Sequence, residues 1–212
     1  MFRRRRLCLW GGLVLVSSCA LAGCSPSSAK PGGVVPPLRT AGADASAAAS
    51  ASGGDAPVTE RSLSDPTTSY TVASIPKDLD AEQSQVIKAY VDYDRATWDA
   101  YRDMNGTTAV ESVTTGDQYQ AFKKVYDERV AAGQHVEGEA STAITSVQIN
   151  PDRYSSTVTV CADETKVRLV SQDGAQVPSD DLGHKISLAV SLIKNDQGWV
   201  VNYSSVESVD QC

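Results

Sequence analysis

The feature that most limits what this chain can fold into is the composition of residues 25–76, which are dominated by Ser, Ala, Gly, Pro and Thr. A segment so poor in large apolar side chains buries too little surface to offset its ordering entropy, so it is expected to stay disordered. Ala41–Ala56 has helix-forming alanines, but Gly42, Gly53, Gly54 and Pro57 interrupt them and no apolar stripe runs through them. The folded part is thereby confined to residues 77–212, a length suited to one domain, and no internal repeat divides it.

Ahead of that segment, Arg3–Arg6 form a basic stretch and Leu7–Leu21 an apolar run that is short and interrupted by Gly and Ser. This is the layout of a secretory signal peptide rather than of a membrane span. It ends in Leu21-Ala22-Gly23-Cys24, which resembles the lipobox of bacterial lipoproteins. The resemblance implies that residues 1–23 are removed, that Cys24 is acylated, and that residues 24–76 tether the domain to the extracytoplasmic face of the cell membrane. An ordinary signal peptide with a chance cysteine is the plainer alternative. Flexible-chain scaling over about 50 residues gives an end-to-end distance of roughly 40 Å, enough to lift a domain off a bilayer.

The whole chain carries a formal charge of −7, and losing Arg3–Arg6 leaves the remainder still more acidic. No basic stripe is present, so a nucleic-acid partner is not expected. Beyond Cys24 the remaining cysteines are Cys161 and Cys212. Two thiols outside the cytoplasm suggest one disulfide. A metal site is the rival, although the two cysteines and His135 and His184 show no ligand spacing. No nucleotide, metal or haem motif occurs, so no cofactor is expected. The sequons at Asn105 and Asn202 are incidental in a bacterial lipoprotein.

Periodicity predicts a helix from about Leu79 to Arg102, capped by Asp78 or Asp80 and ended by Asn105-Gly106. At 100° per residue, Ile87, Tyr90, Val91, Asp94, Thr97, Trp98 and Tyr101 share its buried face. A second helix runs from Gly116 or Asp117 to Ala132, with Tyr119, Phe122, Val125, Tyr126, Arg129 and Val130 recurring at helical spacing. Thr107–Thr115 fits either a short strand or a helical turn. After His135 the period becomes two. Strands are expected at 136–149, 155–162, 166–170, 185–194 and from Trp199 to about Val206, separated by turn-forming residues. Helices followed by an antiparallel meander make an α+β domain.

Two aromatic-striped helices and a meander closing on Ile186–Lys194, Asn195-Asp196-Gln197-Gly198 and Trp199-Val200-Val201 resemble the NTF2-like superfamily. The chain is similar in particular to exported NTF2-like lipoproteins of high-GC Gram-positive bacteria, many of which carry one Cys in a middle strand and another near the C-terminus, as Cys161 and Cys212 do here. The resemblance implies a curved antiparallel sheet wrapped around the first helix into a cone, with a pocket at one end. A cystatin-like fold, with a single helix crossing an open sheet, is the rival arrangement.

Function must then be argued from the site. An isomerase-, dehydratase- or cyclase-type enzyme would need a buried acid or base. Asp94 is the candidate, because desolvation among Tyr90, Trp98 and Tyr101 would raise its pKa and either phenol could serve an oxyanion. The plainer role for Asp94 is to accept hydrogen bonds from a Tyr or from Arg129 and so fix helix against sheet. The Asp/His pair of catalytic relatives cannot be placed on this chain, and His135 and His184 fall at a junction and in a polar loop. A binding module asks less: Tyr90, Trp98 and Tyr101, with Trp199 or Tyr203, would line a pocket for a small apolar ligand. The Ser- and Thr-bearing outer sheet face, including Thr157, Thr159, Ser187 and Ser191, can alternatively meet an envelope protein or a second copy. A binding or accessory module is therefore expected over an enzyme.

Overall fold

The computed structural model describes residues 57–212, so the signal segment and Cys24 lie outside the described residues. Folding starts earlier than composition suggests. Helix α1 (Glu60–Leu63) is closed by a reciprocal capping box between Thr59 and Ser62. A 3-10 turn (Pro66–Thr68) capped by the Asp65 side chain follows, and then strand β1 (Tyr70–Ser74). Leu63, Tyr70 and Val72 are buried in the main core. The expectation that residues 24–76 form a tether is therefore corrected over 57–76: these few large side chains dock the segment, because all three are buried.

Helix α2 (Ala81–Asp103) starts at Asp80, whose carboxylate accepts from the Gln83 amide while the Gln83 side chain returns to the Asp80 amide. It ends at Met104, which adopts the left-handed conformation. Its buried side chains are Val86, Ile87, Tyr90, Val91, Trp98 and Ala100, close to the stripe read from the sequence. The undecided stretch after it forms α3 (Thr108–Val113). Helix α4 (Gly116–Ala132) follows, ended by Gly133 in the left-handed region, where glycine carries no Cβ penalty. Phe122 and Tyr126 of α4 pack on Tyr101 of α2, with ring centroids 5.1 and 6.4 Å away.

The run expected as one strand from Val136 is broken in two, β2 (Gln134–Glu137) and β3 (Ala140–Ile149). The break lies at Gly138, whose φ is +117° and where a Cβ would sit 2.0 Å from the Lys166 carbonyl oxygen. No other residue fits that approach without moving backbone. Strands β4 (Ser155–Asp163), β5 (Arg168–Ser171), β6 (Gln176–Val177), β7 (Lys185–Asn195) and β8 (Gly198–Val209) complete the chain.

These strands form two sheets: five strands in the order β1-β3-β4-β7-β8, and three in the order β2-β5-β6. β1 runs parallel to β3, so the large sheet is mixed, and it is open with β1 and β8 as its edges. The NTF2-like cone expected from the sequence is corrected on this finding. The domain is α+β as expected, but its strands do not make one wrapped antiparallel sheet. Ahead of the break at Gly138, β2 joins β5 and β6 in a second sheet. Helix α2 packs on β3, β4, β7 and β8. Along β4, Ser156, Val158, Val160 and Ala162 are buried while the alternate Thr157, Thr159 and Cys161 are half-buried. Cys161 is bonded to Cys212, with Cα atoms 5.9 Å apart, which ties the chain end back to β4. No helix among the described residues is long and apolar enough to cross a membrane.

Candidate functional site

Two concavities compete for attention. The larger, about 600 Å³, lies between Pro57–Leu63 and the exposed side of α2, where Arg95 is already paired with Asp92 at 3.3 Å. The smaller, about 270 Å³, lies between α2, α4 and the two sheets, and it gathers Tyr70, Asp94, Tyr101, Arg129 and Glu164. Its position makes it the stronger candidate, since apolar walls with a few convergent polar groups are what a ligand site requires.

Helical spacing brings Asp94, Thr97, Trp98 and Tyr101 of α2 to one wall of this cavity. Tyr70 of β1, Arg129 of α4, Glu164 after β4 and Leu182 before β7 supply the others. The Tyr70 hydroxyl donates to Asp94 Oδ2 at 2.7 Å. Burial pushes the Asp94 carboxyl above its ordinary range, and hydrogen bonding by the Tyr70 and Tyr90 hydroxyls offsets part of the rise. Burial and the Asp94 charge push both phenols well above theirs. Trp98 Nε1 donates to the Thr68 carbonyl at 2.7 Å, which fixes the indole against the docked N-terminal segment.

Glu164 is half-buried. Burial first and the Asp94 charge second push its carboxyl up to about 7, against the opposing pull of Arg129 and His184. Arg129 sits over the Tyr101 ring with its guanidinium carbon 4.9 Å from the centroid, and its Nε and Nη1 are buried without a hydrogen-bond partner.

Of the residues singled out in the sequence, Asp94, Trp98 and Tyr101 do meet at this cavity. Tyr90 does not line it; the ring is fully buried behind the wall, its hydroxyl 3.0 Å from Thr142 Oγ1. Trp199 is buried beside Lys194, and Tyr203 is exposed on β8. His135 lies near Glu137 on β2, and His184 contacts Asp210 at 2.9 Å. Asp94 takes its hydrogen bond from Tyr70, not from Arg129. Sequence reasoning missed Tyr70 because its segment reads as a tether, and missed Glu164 because Asp163-Glu164 reads as a turn. Arg129 was visible as a member of the α4 stripe. Among the described residues no group of three or more His, Cys, Asp or Glu is placed to hold a metal ion.

No protein-family model and no curated protein matches the chain. Among solved structures it is similar to the intermembrane space region of the chloroplast protein ARC6. The two are 13% identical over 62% of this chain and 98% of that one, with a TM-score of 0.48.

Proposed function

We propose that the protein is an extracytoplasmic lipoprotein, anchored through acylated Cys24, whose α+β domain is a binding module rather than an enzyme. The anchor reading rests on Leu21-Ala22-Gly23-Cys24 at the end of an apolar run behind Arg3–Arg6. The observation that carries the binding reading is the cavity between α2, α4 and the sheets. Its Trp98, Tyr101, Val136, Val167 and Ile186 walls suit an apolar body, and its polar groups gather at Asp94, Arg129 and Glu164. Asp94 is held by Tyr70 in the manner of a group that fixes helix against sheet.

Two measurements test the reading. Replacing Cys24 by Ser should release the protein from membranes; continued partitioning with them refutes the anchor. Native mass spectra of the exported protein beside its denatured mass should show a small adduct on the folded form only. A clean folded spectrum, repeated after incubation with envelope extract, counts against the ligand.

A second reading, association with an envelope protein or a second copy, is favoured by one observation. Tyr203 and Val206 on the edge strand β8 are 57% and 60% exposed. Sedimentation over a concentration series distinguishes a self-associating protein from a monomer.

A further inference from the structure

Arg129 lines the cavity yet, unlike Arg95, Arg102, Arg153 and Arg168, makes no ion pair within 4 Å among the described residues. Arg95, Arg102 and Arg168 lie 3.3, 3.2 and 2.7 Å from Asp92, Asp99 and Glu137, and Arg153 is paired with Glu82. Arg129 lines the cavity with two buried nitrogens that donate to nothing. Arg129 is half-buried, and buried donors left idle are costly until an acceptor reaches them. Across the same cavity the Glu164 carboxyl is likewise without a hydrogen-bond donor among the described residues, while its neighbour Asp163 takes both the amide and the hydroxyl of Thr165.

Deepening the ligand reading above, on which it rests, we propose that this cavity receives a small monocarboxylate with an apolar body. Its carboxylate pairs with Arg129 and accepts a hydrogen bond from the Glu164 carboxyl. The apolar body lies against Trp98, Val136, Val167 and Ile186.

The charges around Glu164 decide how such an anion is tolerated. Asp94 and Tyr101 face it from α2, Tyr70 from β1, Arg129 from α4, and Asp181 and His184 from the segment before β7. Two ionised carboxylates beside Arg129 would repel a third. With its carboxyl raised to about 7, Glu164 takes a proton at neutral pH with little penalty, and then becomes a donor in place of a repelling charge. Binding therefore takes up a proton. Because only the protonated form accepts the ligand, affinity weakens about tenfold between pH 6 and pH 8.

The probes are benzoate, benzamide and benzylamine, which share a ring and differ in charge, titrated calorimetrically into the exported protein at pH 6, 7 and 8. Benzoate is expected to bind more tightly than both isosteres at pH 6 and to weaken as pH rises. Glu164→Gln should keep benzoate binding and abolish its pH dependence, since an amide donates at every pH. His184→Gln should leave that dependence in place. Arg129→Gln should remove the preference for benzoate; its melting curve reports whether it folds, and if it does not, the Glu164→Gln slope decides alone.

Preference for benzylamine, affinity that rises with pH, an unchanged slope in Glu164→Gln, or no binding of any probe at millimolar concentration overturns the proposal. A native adduct that persists beside such a result leaves the cavity a ligand site and refutes only the carboxylate. Benzoate binding with this pH dependence but without any native adduct supports the carboxylate site, while the clean spectrum counts against a ligand carried from the envelope.

Discussion

Replacing Gly138 by Ala tests the break that turns one strand-like run into two. At φ +117° an L side chain is strained whatever the space around it, at a cost of about 1–3 kcal/mol. The added Cβ also falls 2.0 Å from the Lys166 carbonyl oxygen and 3.0 Å from its carbon. Both are backbone atoms, so relief requires moving the turn that leads into β5, at roughly a further 1–3 kcal/mol by analogy with overpacking. Gly174→Ala is the control, because its φ is +82° but nothing lies within 4 Å of the added carbon, leaving about 1–2 kcal/mol of conformational strain. Urea unfolding of the exported protein, followed by the fluorescence of buried Trp98 and Trp199, reads both variants on one scale. Gly138→Ala should lower the midpoint well beyond the control. Equal midpoints would refute the close approach, and with it the separation of β2 from β3.

Other perturbations bear on the crosslink and the carboxylates. Replacing Cys161 and Cys212 together by Ser opens a loop spanning 51 residues, and the chain-entropy relation puts the loss at about 4 kcal/mol; an unchanged melting temperature, or two alkylatable thiols in the native protein, would sink the crosslink. The folded-state pKa of Glu164 is raised above its ordinary 4.5 to about 7, so its contribution is fully present below pH 4.5 and is lost as pH rises through 7. Glu164→Gln should therefore flatten stability across pH 5–8 and raise it at pH 8 by roughly 1–3 kcal/mol after discounting for solvent screening, and wild-type stability that climbs over that window relative to the variant contradicts this. Tyr70→Phe removes the donor to Asp94 Oδ2 and should cost about 1.5–3 kcal/mol, as for a hydrogen bond to a charged group; a neutral effect in thermal melts would mean that Asp94 is satisfied by water instead.

The parts of the fold that were legible in the sequence are those with a sustained local period. The α2 stripe from Ile87 to Tyr101 and the alternation of Ile186, Leu188, Val190 and Leu192 were readable because the apolar side chains recur at a fixed local period, with full burial alternating at Val190 and Leu192. The second sheet was not readable, because it hangs on one glycine whose necessity comes from Lys166, far away in sequence. Strand β1 was hidden for a related reason. It has five residues, its partner β3 is reached only after two long helices, and parallel pairing leaves no hairpin signal. The site divides the same way: Asp94, Trp98 and Tyr101 came from one helical face, whereas Glu164 and Tyr70 reach the cavity from a turn and from an apparent tether.

The N-terminal segment takes part in building the cavity. Composition averages over a segment, but docking depends on a few residues, and between 57 and 76 the buried Leu63, Tyr70 and Val72 are enough. Once docked, this segment completes the site as well as covering the core. Tyr70 supplies the donor to Asp94, and the Thr68 carbonyl accepts from Trp98 Nε1 and from Arg102 at 2.9 Å. Three side chains of α2 thus take their orientation from residues that precede the helix. A protein begun at residue 77 would keep every helix from α2 onward, yet lose the donor to Asp94 and bare the β3 edge that β1 covers. The folded domain therefore includes residues 57–76, which composition alone assigns to a tether.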